Sequence, residues 1–179
     1  MTYEELESMQ KKRHICQIGF LTTDLKRSMD MWIEKLHVGP WRVVTMNNQS
    51  VTENAFLVDG ELVDAPYQFV LAISYIGDMQ VELIQPQFGP TIYQKFIDEH
   101  GEGIHHFKIV VPPEEWEENL AAYAERGMEL TMTGKFGLSK YAYINSEKFV
   151  DFQVEFGDNI PNPSWPEGSN VYYYPPKEE

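Results

Sequence analysis

The tripeptide Gln-Val-Glu occurs twice in this chain, at residues 80–82 and at residues 153–155, and each copy ends a strand-like apolar run. Another strand-like run lies upstream of each copy and carries a potential metal ligand, Gln17 in the first half and His106 in the second. Each half would then supply one early and one late donor. The four donors predicted to converge on one cation are Gln17, Glu82, His106 and Glu155.

The predicted donor set consists of one imidazole, one amide oxygen and two carboxylates, so oxygen dominates it. Such a set suits a divalent cation in octahedral-like geometry with positions left open for water, namely Mn, Co, Ni, Mg, Fe or Zn. Taken singly, a glutamate late in a strand is usually exposed, and a histidine pair after a glycine usually contacts the backbone. The repeated spacing favours ligation, and we expect one divalent metal ion as the cofactor.

Strand alternation explains how these side chains could meet. His106 and Lys108 share one face of the strand predicted at residues 104–111. In the last predicted strand, Glu155 lies on one face, and Val154 and Phe156 lie on the other. The apolar faces can pack under helices, which leaves the polar faces to line a cavity. We therefore expect a strongly curved sheet with a polar concave face.

Hydrophobic periodicity predicts the same order of elements in both halves, βαβββ followed by βαβββ. Strands are predicted at residues 15–22, 41–46, 67–76, 79–85, 104–111, 128–133, 139–145 and 149–156, with helices after Asp24, at 91–100 and after Pro113. Residues 47–66 are polar and mixed, which predicts a strand with loops. The predicted fold class is α+β, with two βαβββ modules forming a curved mixed sheet around a metal-binding cleft and helices outside.

Glycine and proline punctuation divides the chain into four segments. Residues 1–13 form a polar N-terminal arm, residues 14–100 the first module, residues 101–157 the second module and residues 158–179 a tail rich in proline and aromatic residues. The tail is predicted to be extended and to wrap its own domain or a partner subunit. A homodimer is the expected assembly, and the sequence leaves open whether the modules pair within one chain or across the dimer.

Composition restricts the partners. The 179 residues carry a net charge of −14, which argues against nucleic acid and against a membrane surface, because both need clustered Lys and Arg. No apolar run is long enough to span a bilayer.

Cys16 is the only cysteine, so a disulfide framework is excluded and the cytoplasm is the expected location. Aromatic residues make up 13% of the chain, which suits a flat, weakly charged small-molecule substrate.

Four motifs follow one another along residues 15–157. They are Gln17-Ile18-Gly19-Phe20 with Asp24-Leu25 following, Gln80-Val81-Glu82-Leu83-Ile84-Gln85-Pro86, Gly101-Glu102-Gly103-Ile104-His105-His106-Phe107, and Gln153-Val154-Glu155-Phe156. In this order and spacing they resemble the vicinal oxygen chelate superfamily, which includes glyoxalase I, methylmalonyl-CoA epimerase, extradiol dioxygenases and bleomycin-resistance proteins. The stretches around Pro86 and Gly103 look most like the epimerase branch.

The resemblance implies metal ligands on the first, fourth, fifth and eighth strands, and residue-by-residue matching puts Gln17, Glu82, His106 and Glu155 there. The epimerases carry histidine at the first of these positions, whereas this chain has Gln17, and His14 lies on a different strand face. Some glyoxalase I enzymes use Gln, Glu, His and Glu in that order. The dioxygenases need two histidines and one carboxylate for iron, so Gln17 argues against that chemistry.

Glyoxalase I and the epimerases share proton abstraction beside a carbonyl, where the metal stabilises the developing enolate. The resemblance therefore implies an isomerase, a metal-dependent epimerase or racemase, with Glu155 as the first base and Glu82 beside it. Asp64 is the candidate for the second base, with Glu61 as an alternative. Lys108 is expected to contact a substrate oxygen or to form an ion pair with a nearby carboxylate.

The substrate class stays open between an acyl-CoA thioester, which is the family default, and a cyclic aryl ketone such as a dihydroisoflavone. A second hypothesis is a glyoxalase-I-like lyase that acts on a glutathione hemithioacetal. A third is a non-catalytic small-molecule binding protein of the same fold.

Overall fold

A computed structural model of the chain describes residues 1–52, 55–158, 165 and 169–177. The elements of the first half are α1 (Tyr3–Gln10), β1 (Ile15–Leu21), α2 (Leu25–Leu36), β2 (Trp41–Asn47), β3 (Leu57–Val58), β4 (Glu61–Leu62), β5 (Gln68–Ile76), β6 (Met79–Phe88) and α3 (Ile92–His100). The second half contains β7 (Gly103–Val110), a 3-10 turn (Pro113–Glu115), α4 (Trp116–Glu125), β8 (Leu130–Phe136), β9 (Ser139–Ile144), α5 (Glu147–Val150), β10 (Gln153–Gly157) and β11 (Val171–Tyr174). The α+β class is confirmed.

Within the described residues the strands form one mixed, curved sheet in the order β11-β2-β5-β6-β1-β7-β10-β9-β8-β3-β4. The order β2-β5-β6-β1 in the first half is repeated as β8-β9-β10-β7 in the second, and β1 joins β7 in antiparallel fashion at the centre. The repeated βαβββ order is therefore observed, with the β3–β4 hairpin as an insertion in the first half.

The duplication extends to the strand register. β1 runs parallel to β6 with Gln17 opposite Gln80, and β7 runs parallel to β10 with His106 opposite Gln153. The first residue of each Gln-Val-Glu copy therefore faces the predicted early donor of its own half.

Each half buries its helix on the side of the sheet away from these donors. Leu25 and Met29 of α2 pack with Val81, the middle residue of the first Gln-Val-Glu copy. Trp116, just after the 3-10 turn, packs with Val154, the middle residue of the second copy. The glutamates that follow these valines point to the opposite face. The alternation expected from the sequence is thus what brings the glutamates to the concave side.

Two segments differ from the expected strands. The strand predicted at residues 149–156 begins only at Gln153, because Glu147–Val150 forms a helical turn that ends at Asp151 with φ 63°. The residues expected in an extended tail include β11, which pairs with β2 of the same chain. No helix in the described part of the chain combines the length and apolarity needed to cross a membrane.

Candidate metal and substrate site

Three of the predicted donors meet near the middle of the sheet. The ligating atoms of Glu82, His106 and Glu155 all lie within 4.8 Å of one another, and all three side chains are buried. His106 Nε2 is 3.1 Å from Glu155 Oε2 and 3.6 Å from Glu82 Oε2. The imidazole therefore lies between a carboxylate from each half of the molecule.

The fourth predicted donor faces the same imidazole. The side-chain oxygen of Gln17 is 3.4 Å from His106 Nε2. Its amide nitrogen donates a hydrogen bond to the side-chain oxygen of Gln80, and the amide nitrogen of Gln80 in turn donates to the Tyr75 hydroxyl at 2.9 Å. This chain of hydrogen bonds keeps the Gln17 oxygen turned toward the other donors. All four predicted ligands are thus brought together.

Gly19 makes the position of His106 possible. It lies directly across from His106 in the β1–β7 pair. A methyl group at residue 19 would overlap the imidazole ring. Only glycine leaves the space that the ring fills. The Gln-Ile-Gly sequence therefore supplies a donor and, two residues later, room for a second donor.

His105, which the sequence did not single out, contacts the predicted ligand His106. Its Nδ1 lies 3.0 Å from Nδ1 of His106, and its ring is enclosed by Tyr93, Phe96 and Tyr143. Burial lowers the pKa of His105 well below its usual range, so the ring is neutral and can accept a proton at Nδ1. In the tautomer with its proton on Nδ1, His106 donates to His105, and its Nε2 would be available to bind a cation.

Lys108 lies beside the site and forms an ion pair. Its Nζ is 2.9 Å from Glu155 Oε1. Burial alone would raise the pKa of the Glu155 carboxyl, but Lys108 and the His106 hydrogen bond outweigh it and lower that pKa to about 2. The ion pair that the sequence allowed for Lys108 is therefore present, and it keeps Glu155 ionised.

Glu82 has the opposite electrostatic environment. Burial and the neighbouring Glu155 charge raise the pKa of the Glu82 carboxyl to about 8. Two buried carboxylates this close need a positive charge between them before both can ionise. The donor set thus fits a divalent cation: two carboxylates neutralise it, and an imidazole and an amide oxygen complete four ligands. Gln17, Glu82, His106 and Glu155 would hold it.

A cavity opens above these donors, and we call it the central cavity. It contains about 680 Å³ of space, part of it open to solvent, and Gln17, Glu82 and Glu155 lie on its polar side. Its apolar walls are formed by Met46, Phe69, Leu71, Ile73, Phe136 and Trp165. Phe136 and Trp165 stack with ring centroids 5.0 Å apart and planes 11° from parallel. The central cavity therefore combines polar groups, including the predicted metal ligands, with aromatic and aliphatic side chains.

Asp64, the candidate second base, lies elsewhere. It is exposed in the connection between β4 and β5, as is the alternative Glu61 on β4. Neither belongs to the described residues that line the central cavity. The geometry offers no support for either as the second base, and the assignment stays a prediction.

Comparison with solved structures identifies similar folds at low sequence identity. A hypothetical protein from Bacillus halodurans C-125 is 18% identical with a TM-score of 0.57, and the match covers 86% of this chain and 99% of that chain. Methylmalonyl-CoA epimerase from Mycobacterium tuberculosis is 16% identical with a TM-score of 0.56, covering 82% and 88%. A single-residue variant of the Streptomyces coelicolor methylmalonyl-CoA epimerase, in complex with 2-nitronate-propionyl-CoA, is 15% identical with a TM-score of 0.57, covering 84% and 97%.

At these identities the structures show a shared fold only. A search among curated proteins finds no significant sequence match. The model of the glyoxalase/bleomycin resistance protein/dioxygenase superfamily matches residues 16–144, which is most of the chain. This chain therefore belongs to the glyoxalase/bleomycin resistance protein/dioxygenase superfamily, the vicinal oxygen chelate superfamily that its motifs resemble.

Proposed function

We propose that this protein is a metal-dependent isomerase, an epimerase or racemase that removes and returns a proton at the carbon next to a carbonyl. The observation that carries the proposal is the pair of buried carboxylates, Glu82 and Glu155, beside His106 on the polar side of the central cavity. When bound there, a divalent cation supplies a Lewis acid that polarises a carbonyl oxygen.

Glu155 is the first base in this proposal. Its carboxylate lies within the central cavity and is ionised at neutral pH because Lys108 Nζ is 2.9 Å away. A buried, ionised carboxylate can accept a carbon-bound proton without first losing a hydration shell. Lys108 holds the carboxylate in one position and balances its charge. Inversion of the carbon centre also requires a proton donor on the other face of the substrate.

Glu82 is the second carboxyl group at the site, and unlike Asp64 it lines the central cavity. It comes from the other half of the duplicated sheet, so the two carboxyl groups reach the same cavity from different strands. Without a cation, burial and the Glu155 charge raise the pKa of the Glu82 carboxyl, whereas Lys108 and His106 lower the pKa of the Glu155 carboxyl. A cation bound between them would favour the ionised form of both.

The central cavity favours a cyclic aryl ketone over an acyl-CoA thioester. Half of the residues that line it are aromatic or aliphatic, and these side chains suit an uncharged ring compound. The described cations on its lining are Arg42 and Lys108, and Lys108 is already held by Glu155. The acyl-CoA alternative is supported by the epimerase from Streptomyces coelicolor, which has the same fold and binds 2-nitronate-propionyl-CoA.

The test is deuterium exchange in D2O with 2-phenylcyclohexanone and with methylmalonyl-CoA, using protein freed of metal and then reloaded. We expect exchange at the acidic carbon that requires metal. Glu155→Gln should slow it by roughly 10²–10⁴-fold, because the amide cannot accept the proton. Glu99→Gln on α3 is the control and should leave the rate unchanged. Rapid exchange by Glu155→Gln would contradict the proposal. The same exchange measurement on Asp64→Asn tests the second-base prediction separately.

A glyoxalase-I-like lyase is the second candidate. The amide oxygen of Gln17 in the donor set favours it, because the resemblance associates that ligand order with glyoxalase I. Incubation with methylglyoxal and glutathione distinguishes the two. Thioester formation at an enzymatic rate, without exchange in the ketone, would establish the lyase. Tight ketone binding without exchange in the metal-loaded protein would instead indicate a binding protein.

A further inference from the structure

Tyr141 carries a buried hydroxyl that has no hydrogen-bond partner in the part of the chain that the structure describes. Its side chain on β9 is 7% exposed and lines the central cavity. Among the described residues, no group forms a hydrogen bond with this hydroxyl. A buried donor left without a partner costs free energy comparable to a lost hydrogen bond, so such groups are rare in folded proteins.

The surrounding structure holds the hydroxyl in place. Tyr141 lies directly opposite Gly134 of β8, and a side chain at residue 134 would overlap the hydroxyl and the ring. The rings of Phe136 and Tyr143 flank it, with centroids 6.2 Å and 5.9 Å away. Gly134 thus provides for the phenol the space that Gly19 provides for His106.

The neighbouring phenols behave differently. The hydroxyls of Tyr93 and Tyr143 lie 3.1 Å apart and share a hydrogen bond. Tyr143 also packs against the His106 ring at 5.1 Å, so Tyr141 is one ring removed from the predicted metal ligand. Of these three phenols, the one whose hydroxyl has no partner among the described residues is Tyr141, which packs against Phe136 in the cavity wall.

We propose that the Tyr141 hydroxyl donates a hydrogen bond to an oxygen atom of the substrate in the central cavity. This inference rests on the proposed function, which supplies a substrate with a carbonyl oxygen. The phenol remains a donor throughout, because burial raises its pKa well above the usual value and the neighbouring Tyr67, Glu155 and Glu82 raise it further. Tyr141 would then make the site bind oxygen-containing ligands more tightly than hydrocarbons of the same shape.

The first experiment measures stability with two matched variants. Tyr141→Phe removes only the unpartnered hydroxyl, so its melting temperature should equal or exceed that of the wild type. Tyr143→Phe removes the same atom but breaks the bond with Tyr93, so its melting temperature should fall. A fall in Tyr141→Phe as large as that in Tyr143→Phe would overturn the proposal, because it would show that the fold itself uses the hydroxyl.

The second experiment measures binding with a matched pair of probes. 2-Phenylcyclohexanone has a single oxygen, and phenylcyclohexane has the same rings without it. Binding is followed by the change in tryptophan fluorescence, to which Trp165 in the cavity wall should contribute. Tyr141→Phe should raise the Kd of the ketone by about 3–10-fold, as expected for one neutral hydrogen bond, and leave that of the hydrocarbon unchanged.

Equal ketone affinity in wild type and Tyr141→Phe, or no ketone binding by either, would overturn the inference. The proposed function fails by a different result, namely tight ketone binding by the wild type without deuterium exchange. Glu155→Gln further separates the Tyr141 inference from the proposed function. This variant should slow deuterium exchange, but it should still bind the ketone more tightly when residue 141 is tyrosine than when it is phenylalanine.

Discussion

The adjacent histidines divide two tasks between them. His106 Nε2 faces Glu82, Glu155 and the Gln17 oxygen, whereas its Nδ1 faces His105. A metal-binding imidazole must keep one nitrogen free of hydrogen, and the tautomer is set by the partner of the other nitrogen. We therefore expect His105 to act as a positioning residue for the predicted ligands.

Replacement of His105 by phenylalanine tests this role. The new ring keeps the contacts with Tyr93, Phe96 and Tyr143 but cannot accept the hydrogen bond from His106. We expect metal affinity to fall by about 10–100-fold, as is usual for loss of a partner that orients a ligand. Isothermal titration with Co²⁺ or Mn²⁺ measures it. Phe96→Leu, which alters the same packing without touching the hydrogen bond, should bind metal like the wild type; equal affinity in His105→Phe would rule the role out.

The sequence predicted the four side chains that the structure brings together, but it did not predict the contact that His105 makes with them. Gln17, Glu82, His106 and Glu155 were predicted because each half repeats the same order of strands, with one candidate ligand on an early strand and one in a late Gln-Val-Glu copy. His105 was missed because alternation alone places it on the face opposite to His106, yet its ring reaches Nδ1 of His106.

Tyr141 was missed for another reason. A tyrosine in an apolar strand is most often core, and nothing in the sequence shows which of several phenols lacks a hydrogen-bond partner. That property depends on packing across strands, so it becomes visible only in the structure.

Within the central strand pair, β1 and β7 fit together through one glycine. Gly19→Ala should displace the His106 ring, because the added methyl group would occupy the same space. We expect a loss of about 1–3 kcal/mol in the free energy of unfolding, typical of overpacking, and at least a tenfold loss of metal affinity. Denaturant unfolding and metal titration measure the two effects.

A double-mutant cycle provides the control. In a His106→Ala background the ring is gone, so adding Gly19→Ala should change stability little. If the alanine at residue 19 destabilises both backgrounds equally, the clash with His106 is not its cause, and the glycine serves the strand rather than the site.

The elements were predicted best where local and tertiary preferences agree. The helix expected after Asp24 is α2, and the Asp24 side chain accepts a hydrogen bond from Arg27 N at 2.9 Å as an N-cap should. The early part of the predicted strand at residues 149–156 was wrong, because its apolar residues belong to the helical turn α5. Apolar runs this short do not distinguish a helical turn from a strand.

For the molecule as a whole, the duplication is completed within one chain. β1 and β7 pair directly, and the β3–β4 hairpin of the first half pairs with β8 of the second through Leu57 and Thr133. The four predicted ligands therefore converge without a second subunit. The expected homodimer is not needed to assemble the site and stays a prediction.

Because the donors come from both halves, a bound cation should stabilise the entire molecule. A ligand that binds only the folded state adds about 2.7 kcal/mol at one hundred times its Kd, which corresponds to a rise of roughly 5–10 °C in Tm for a chain of this size. Thermal unfolding after chelation, and again after addition of Mn²⁺, Co²⁺ or Mg²⁺, measures it.

The control must separate this effect from screening, because a chain with a net charge of −14 attracts any cation. Sodium chloride at equal ionic strength gives the screening contribution. Glu155→Gln keeps the shape of the site but removes a charged donor, so divalent ions should raise its Tm no more than the matched salt does. A wild-type protein whose Tm rises equally with sodium and with every divalent ion would show that the two halves do not hold a cation between them.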